Sequence, residues 1–334
     1  MEALPWTLRV TVSLPTKVPA LGLKSTAREF AWAGGEDSRL DEHASRTRTS
    51  TTWRARRVRV LLALDISASI TGENGRYDLH GRRDMTERSH ATEPDVRVCA
   101  DARDLSERAA AATVEMIGKT VRQHGRCSLV LSGGNTPKTL YRLLASTYRD
   151  QVPWSQVHVF WGDERFVPHD DPASNYRMAR ESLLDHVPLS ALHIHPMPTQ
   201  PPSPDAAARD YERTLRTEMG SHRPLFDLVL LGLGEDGHTA SLFPRSPALN
   251  ETTRWVVAVT APVEPFTRLT LTLPAIASAA RIFVLVSGAR KANALEHVLS
   301  PAADPDSYPA ASLRLAGPAV TWWIDRNARA PSRS

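Results

Sequence analysis

From about residue 95 onward, apolar and polar positions alternate in blocks. Short, nearly unbroken apolar runs recur at CSLVLSGG (127–134), VHVFWGDE (157–164), FDLVLLG (226–232), WVVAVTA (255–261), RIFVLVSG (281–288) and VTWWID (320–325). Runs of that length bounded by glycine or charge are expected to be strands buried on both faces. Between them lie segments that read as helices: 104 to about 124, TPKTLYRLLASTY (136–148), NYRMARESLLDHV (175–187), 205–219, a short one near 274–280, and ARKANALEHVL (289–299). Asp104-Leu-Ser-Glu107 has the form of a capping box, with Asp104 in the cap position. RLTLTL (268–273) alternates strictly, which predicts a half-exposed or edge strand. HIHPMP (193–198) is expected to be a short strand or loop, followed by the Pro-rich PTQPPSP (198–204). Strands alternating with helices imply βαβ units, hence an α/β fold with a mainly parallel sheet. No internal repeat is present.

Residues 1 to about 90 lack this order. They are rich in Arg, Ser and Thr, as in RTRTSTTWRARRVRV (46–60), and only 58–70 could form a strand or short helix. The expected division is a poorly ordered basic extension over 1–90 and a catalytic domain over 91–330. Met85, in RRDMTERSH, would be a sensible start for the second part.

Charge follows the same boundary. The net charge is +4; the first 84 residues carry 14 bases and 10 acids, and the other 250 carry 27 of each. The basic excess therefore lies outside the regular part and gives no argument for a nucleic-acid partner. With 41% hydrophobic and 23% charged residues, the composition is that of an ordinary globular protein. Two cysteines, Cys99 and Cys127, make no disulfide framework, and a reducing cytoplasm is the expected location. The opening MEALPWTLRV has an acid where a signal peptide has bases. The apolar run at 60–64 is far short of the ~20 residues that span a bilayer, so no membrane association is expected.

Three segments and two further cations carry candidate chemistry. LLGLGEDGHTASLFP (230–244) sets Glu235, Asp236 and His238 in a glycine-rich turn after a strand, where an imidazole can take and return a proton. Its G-x-G-x-x-G spacing imitates a dinucleotide site, but Pro244 and Pro247 interrupt the helix such a site needs. SGGNTP (132–137) leads from a strand into a helix, so the amides and side chains of Ser132, Gly133, Gly134, Asn135 and Thr136 can form an anion cradle. GDER (162–165) brings Asp163, Glu164 and Arg165 to the end of another strand, with Asn175 and Tyr176 expected in the same loop. Arg268, at the start of RLTLTL, and Lys291, in the first turn of a helix, add two cations. No zinc-type spacing surrounds His238. His193 and His195 would share one face of a strand, but with no third ligand evident they read as histidines beside a loop, so no metal is expected. Neither a GxSxG elbow nor a Cys–His pair offers a covalent nucleophile.

Taken in order, SGGNTP, WGDERFVPHDDPASNYRMA (161–179), LLGLGEDGHTASLFP, TRLTLTLPAI (267–276) and VSGARKANAL (286–295) resemble the 6-phosphogluconolactonase family over roughly residues 95–327. The resemblance implies a three-layer α/β/α fold with a mainly parallel sheet, similar to glucosamine-6-phosphate isomerase and ribose-5-phosphate isomerase. It implies hydrolysis of 6-phospho-D-glucono-1,5-lactone without a cofactor, by a monomer or small homo-oligomer. The catalytic set would be His238 as general base, oriented by Asp236 or Asp163. The substrate-binding set would be Ser132, Gly133, Gly134, Asn135, Thr136, Arg165, Arg268 and Lys291. Asn135 stands where the family frequently has Ser. The rivals are a glucosamine-6-phosphate isomerase/deaminase, whose loop continues Asn-Glu-Pro where this chain reads TASLFP, and a non-catalytic sugar-phosphate-binding regulator.

Overall fold

Four of the six apolar runs form the middle of one sheet in the computed structural model, which describes residues 70–72, 75–77, 93–220 and 224–329; the run at 157–161 lies at the edge of that sheet and the run at 255–261 in a second, antiparallel one. The chain divides between Ala91 and Thr92 into two units. In the first unit, Ile70–Gly72 (β1) pairs antiparallel with Gly75–Tyr77 (β2). Met85, the rest of residues 1–90 and the expected element at 58–70, apart from its last residue, lie outside the described residues.

In the second unit, six strands form one parallel sheet: Asp95–Cys99 (β3), Cys127–Leu131 (β4), Val157–Trp161 (β5), Leu228–Gly232 (β7), Arg281–Val286 (β10) and Val320–Asp325 (β11). Their order is β3-β11-β10-β7-β4-β5. All five residues of β4 are buried, as expected for an inner strand covered by helices on both faces. The helices are Ala102–His124 (α1), Asn135–Ala145 (α2), Asn175–Ser182 (α3), Pro204–Met219 (α4), Leu273–Ala277 (α5) and Ala292–Leu299 (α6). A smaller antiparallel sheet, order β6-β9-β8, is made of Asp163–Arg165 (β6), Val256–Thr260 (β8) and Thr267–Leu271 (β9).

Several local expectations change. The strand over 157–164 splits at Gly162, whose N–H donates to Leu131 O (2.9 Å) in one sheet while its carbonyl accepts from Leu271 N (2.8 Å) in the other. RLTLTL lies at the centre of the small sheet and its polar positions are buried: Thr270 Oγ1 donates to Leu271 O and Thr272 Oγ1 to Arg254 O. Hydrogen-bonded threonines thus replace the solvent that alternation suggested. Asp101 caps α1, accepting from the amides of Arg103 and Asp104, and Asp104 reaches back to Ala100 N. The box is shifted three residues earlier than its sequence suggested, with Asp104 in the reciprocal role. The helix expected over 175–187 stops at Ser182, since Leu183 leaves helical geometry (φ −141°), and a 3₁₀ turn follows. The edge strand β3 gave no expectation: in DVRVC charged and apolar residues alternate over five positions, too short a signal beside the long inner runs.

Candidate active site

Parallel strands send all their following loops to one edge of the sheet. From β4 the chain passes to β5 on one side, then returns to β7 on the other side of β4. The carboxyl ends of β4 and β7 therefore flank the point where strand order reverses, the usual ligand crevice of an open α/β sheet. The 132–136 turn follows β4 and the 233–238 loop follows β7. The Asp163–Arg165 segment follows β5 on one side, and the 287–291 turn follows β10 on the other.

The loop after β7 is shaped around its imidazole. His238 Nδ1 lies 2.5 Å from Asp236 Oδ1, and the His238 amide donates to the same oxygen at 3.2 Å. Gly234 closes the loop, its N–H donating to His238 O (2.8 Å). A side chain at 234 would collide with the His238 ring and the Asp236 carboxylate, so this glycine serves close approach. Gly237 has the positive φ (82°) expected of the turn, and a Cβ there would meet Tyr308 at 2.7 Å. The His238 ring rests against Phe243, centroids 4.7 Å apart, leaving 31% of the side chain exposed. Nε2 makes no hydrogen bond among the described residues and is the atom available to a ligand. Burial alone would raise the Asp236 carboxyl, but the hydrogen bond and charge of His238 outweigh it and hold it low. After the loop come a tight bridge (Thr239 with Leu242) and a 3₁₀ turn, Pro247–Asn250, where a dinucleotide site would have its helix.

Asp163, the other carboxylate considered for orienting His238, is committed elsewhere. Its Oδ2 accepts from Ser241 Oγ (2.6 Å), and its Oδ1 and backbone oxygen accept from Asn175 Nδ2 (3.2 and 2.9 Å). Asn175 in turn packs on Gly133, where any side chain would collide with its amide. One buried network thus runs from the 132–136 turn through Asn175 and Asp163 to Ser241, three residues past His238. Ser241 was missed by sequence reasoning because a serine three residues beyond the histidine carries no motif of its own. Glu164 is buried and also structural: its carboxylate accepts from the amides of Arg165, Asn175 and Tyr176 and from Ser174 Oγ, fixing the start of α3. Burial raises its pKa against those stabilising amides.

The cations converge on the same edge. β6 and β9 pair in a register that sets Arg165 directly opposite Arg268. Like charges facing each other across a ladder repel. Arg268 is nonetheless only 6% exposed, and burial together with Arg165 lowers its pKa. Arg268 Nε donates to Pro265 O and Arg165 donates to Ala173 O, while Arg165 Nε is buried with no partner. Lys291, in the 3₁₀ turn Ala289–Lys291 rather than in a helix, lies 4.0 Å from Glu235; burial lowers its pKa while Glu235 opposes that. In the 132–136 turn, Gly134 (φ 103°) heads α2 with no side-chain cap, so the first amides of the helix stay open. Ser132 departs from expectation: its amide is taken by Tyr141 Oη (2.9 Å), and its buried Oγ is the unpartnered group. Asn135 is exposed and Thr136 half-buried.

Known proteins are similar to this chain in sequence and in fold. A 6-phosphogluconolactonase of Synechocystis sp. is 45% identical over 239 residues, spanning 70% of this chain and 97% of that protein. The crystal structure of a 6-phosphogluconolactonase from Leishmania guyanensis superposes with a TM-score of 0.64 at 31% identity, covering 71% of this chain and 98% of that one. A monomeric glucosamine-6-phosphate deaminase superposes with a TM-score of 0.62 at 25% identity, covering 70% and 98%. The family described as glucosamine-6-phosphate isomerases/6-phosphogluconolactonase matches residues 100–322, and the chain belongs to it.

Proposed function

We propose that this chain hydrolyses 6-phospho-D-glucono-1,5-lactone to 6-phospho-D-gluconate, the second step of the oxidative pentose phosphate pathway. The observation that carries the reading is a pair of facing arginines, Arg268 buried and Arg165 half-buried, at the same sheet edge as an imidazole–carboxylate loop. Two guanidinium groups that face each other across a ladder, one of them buried, are stabilised by a dianion between them. The phosphate of the substrate supplies it, with the open amides at Gly134–Thr136, the Ser132 hydroxyl and Lys291 taking its remaining oxygens and the ring hydroxyls. Asp236 holds the His238 ring so that Nε2 faces water. Nε2 takes a proton as the water oxygen bonds to C1, the carbonyl electrons move onto an oxyanion, and that oxyanion collapses as the bond from C1 to the ring oxygen breaks. The proton then passes from His238 to the ring oxygen, which leaves as a hydroxyl. A positioned general base contributes roughly 10²–10⁴-fold. Asp163, with Asn175 and Ser241, acts as scaffold.

The catalytic domain is taken as residues 91–330. The free, buried thiols Cys99 and Cys127 suit a reducing cytoplasm, and no helix of the described residues is long and apolar enough to cross a membrane. The test is a lactonase assay coupled to 6-phosphogluconate dehydrogenase, run on phosphorylated and unphosphorylated lactone and beside glucosamine 6-phosphate. Preference for the phosphorylated lactone supports the reading. Equal rates on both lactones, or turnover of the amino sugar alone, would overturn it.

A further inference from the structure

At the amino end of the sheet, away from the candidate active site, three donor atoms meet. His158 is the second residue of β5, His195 follows the 3₁₀ turn Ala191–His193, and Glu218 is in the last turn of α4. The parallel bridge between Val159 and Ile194, with His195 N donating to Val159 O (2.9 Å), fixes the first two side by side. His158 Nδ1 and His195 Nε2 are 3.3 Å apart, and Glu218 Oε2 is 3.9 Å from each. This supplies the third ligand that sequence spacing did not reveal for His195, while His193 stacks on the His158 ring at 4.1 Å instead of sharing its role.

The triangle has the dimensions of a metal site. The point equidistant from the three atoms lies about 2.2 Å from each, beside the 2.0–2.2 Å of zinc–imidazole and zinc–carboxylate bonds. Direct hydrogen bonding accounts for the group only in part: 3.3 Å allows one long bond between the two imidazoles, while 3.9 Å leaves the carboxylate out of hydrogen-bond reach of both. The side chains are 17%, 9% and 30% exposed, so two imidazoles are largely shielded while the carboxylate keeps a path to solvent. The rings are held in place by stacking, His158 on His193 and His195 on Phe160 at 4.6 Å. His193 Nδ1 is buried without a partner. The carbonyl end of α4 favours a cation here. Arg126, which donates to Glu218 O (3.2 Å) and Met219 Sδ, is an opposing charge beside the group.

We propose that His158, His195 and Glu218 bind one divalent transition ion of the zinc class, with a fourth position left to water. Two imidazoles and a carboxylate are the donor set such ions take. The ion ties the end of α4 to β5 and the 191–195 segment, and so acts on stability and not on the lactone.

Metal-free protein lacking a polyhistidine tag, titrated with Zn²⁺, tests this by calorimetry and by melting temperature. One equivalent is expected to bind and to raise the melting temperature with Zn²⁺ concentration. Since loss of even an outer-sphere partner costs ~10–100-fold in affinity, His195→Ala is expected to weaken binding by more than about 100-fold. Glu218→Gln, at a half-exposed helix position that leaves folding intact, is expected to weaken it strongly while keeping normal lactone turnover. His238→Ala is expected to bind like the parent, which separates this site from the catalytic loop. Binding retained by both His195→Ala and Glu218→Gln, or a parent melting temperature indifferent to Zn²⁺, overturns the proposal.

Discussion

Two edges of one sheet carry the same kinds of side chain in opposite settings. At the carboxyl edge, His238 and Asp236 are in contact at 2.5 Å, with 31% and 41% of their side chains exposed. At the amino edge, His158 and His195 are 17% and 9% exposed, and Glu218 stands 3.9 Å from both. The first pair holds a ring by a direct charge-assisted bond and leaves one nitrogen open to water, as a base requires. The second leaves a gap the size of an ion among its donors. Residue type thus says little about role; the spacing of the atoms and access to solvent decide it.

The comparison breaks most sharply in turnover. His238→Ala is expected to cut kcat by at least ~10²-fold with phosphate binding and melting temperature kept, whereas Glu218→Gln leaves kcat alone; equal kcat for His238→Ala and the parent would remove His238 as base. Asp236→Asn keeps the shape of the loop but loses the charge that fixes the ring. Its kcat is expected to fall by about tenfold or more at little change in KM, and a change confined to KM would reassign Asp236 to substrate binding. Arg268→Ala removes one of the facing arginines. Charge-assisted hydrogen bonds contribute ~1.5–3 kcal/mol, so KM for the phosphorylated lactone is expected to rise about tenfold or more, with the unphosphorylated lactone little affected. A parallel rise for both substrates would detach Arg268 from the phosphate.

The two edges also differ in how far the sequence exposes them. Asp236 and His238 lie two residues apart after a buried run, so strand, turn and chemistry are legible together. The inner strands are legible for the same reason, since burial on both faces leaves an unbroken apolar run. Arg165 and Arg268 are visible as cations, but their opposition depends on the β6–β9 register, which 102 residues of intervening chain conceal. The scaffold role of Asp163 depends on Ser241, 78 residues away. His158, His195 and Glu218 are spaced 37 and 23 residues apart on a strand, a loop and a helix. No local period links them, and only the pairing of Val159 with Ile194 and the end of α4 bring them together.

The smallest expected effect reads the amino edge through protons. Burial, then the charges of His193, Arg126 and His195, pushes the His158 imidazole from 6.5 down to about 4. His195 is lowered as well, chiefly by burial, with Glu218 opposing. In the unfolded chain His158 takes its proton as pH falls through about 6.5, while in the folded chain it stays neutral until about 4. Between those values the unfolded state binds more protons, so stability falls with falling pH, and the loss stops growing below about 4. In metal-free protein the melting temperature is therefore expected to drop on acidification through this window, and to drop by a few degrees less in His158→Gln. The partial exposure of the ring keeps the effect small, since solvent screens part of the shift. Identical pH slopes for parent and His158→Gln would mean that the ring takes its proton in the folded state as readily as in the unfolded chain. The shielding of the amino edge would then have no effect on its protons, and the contrast between the two edges would rest on distance alone.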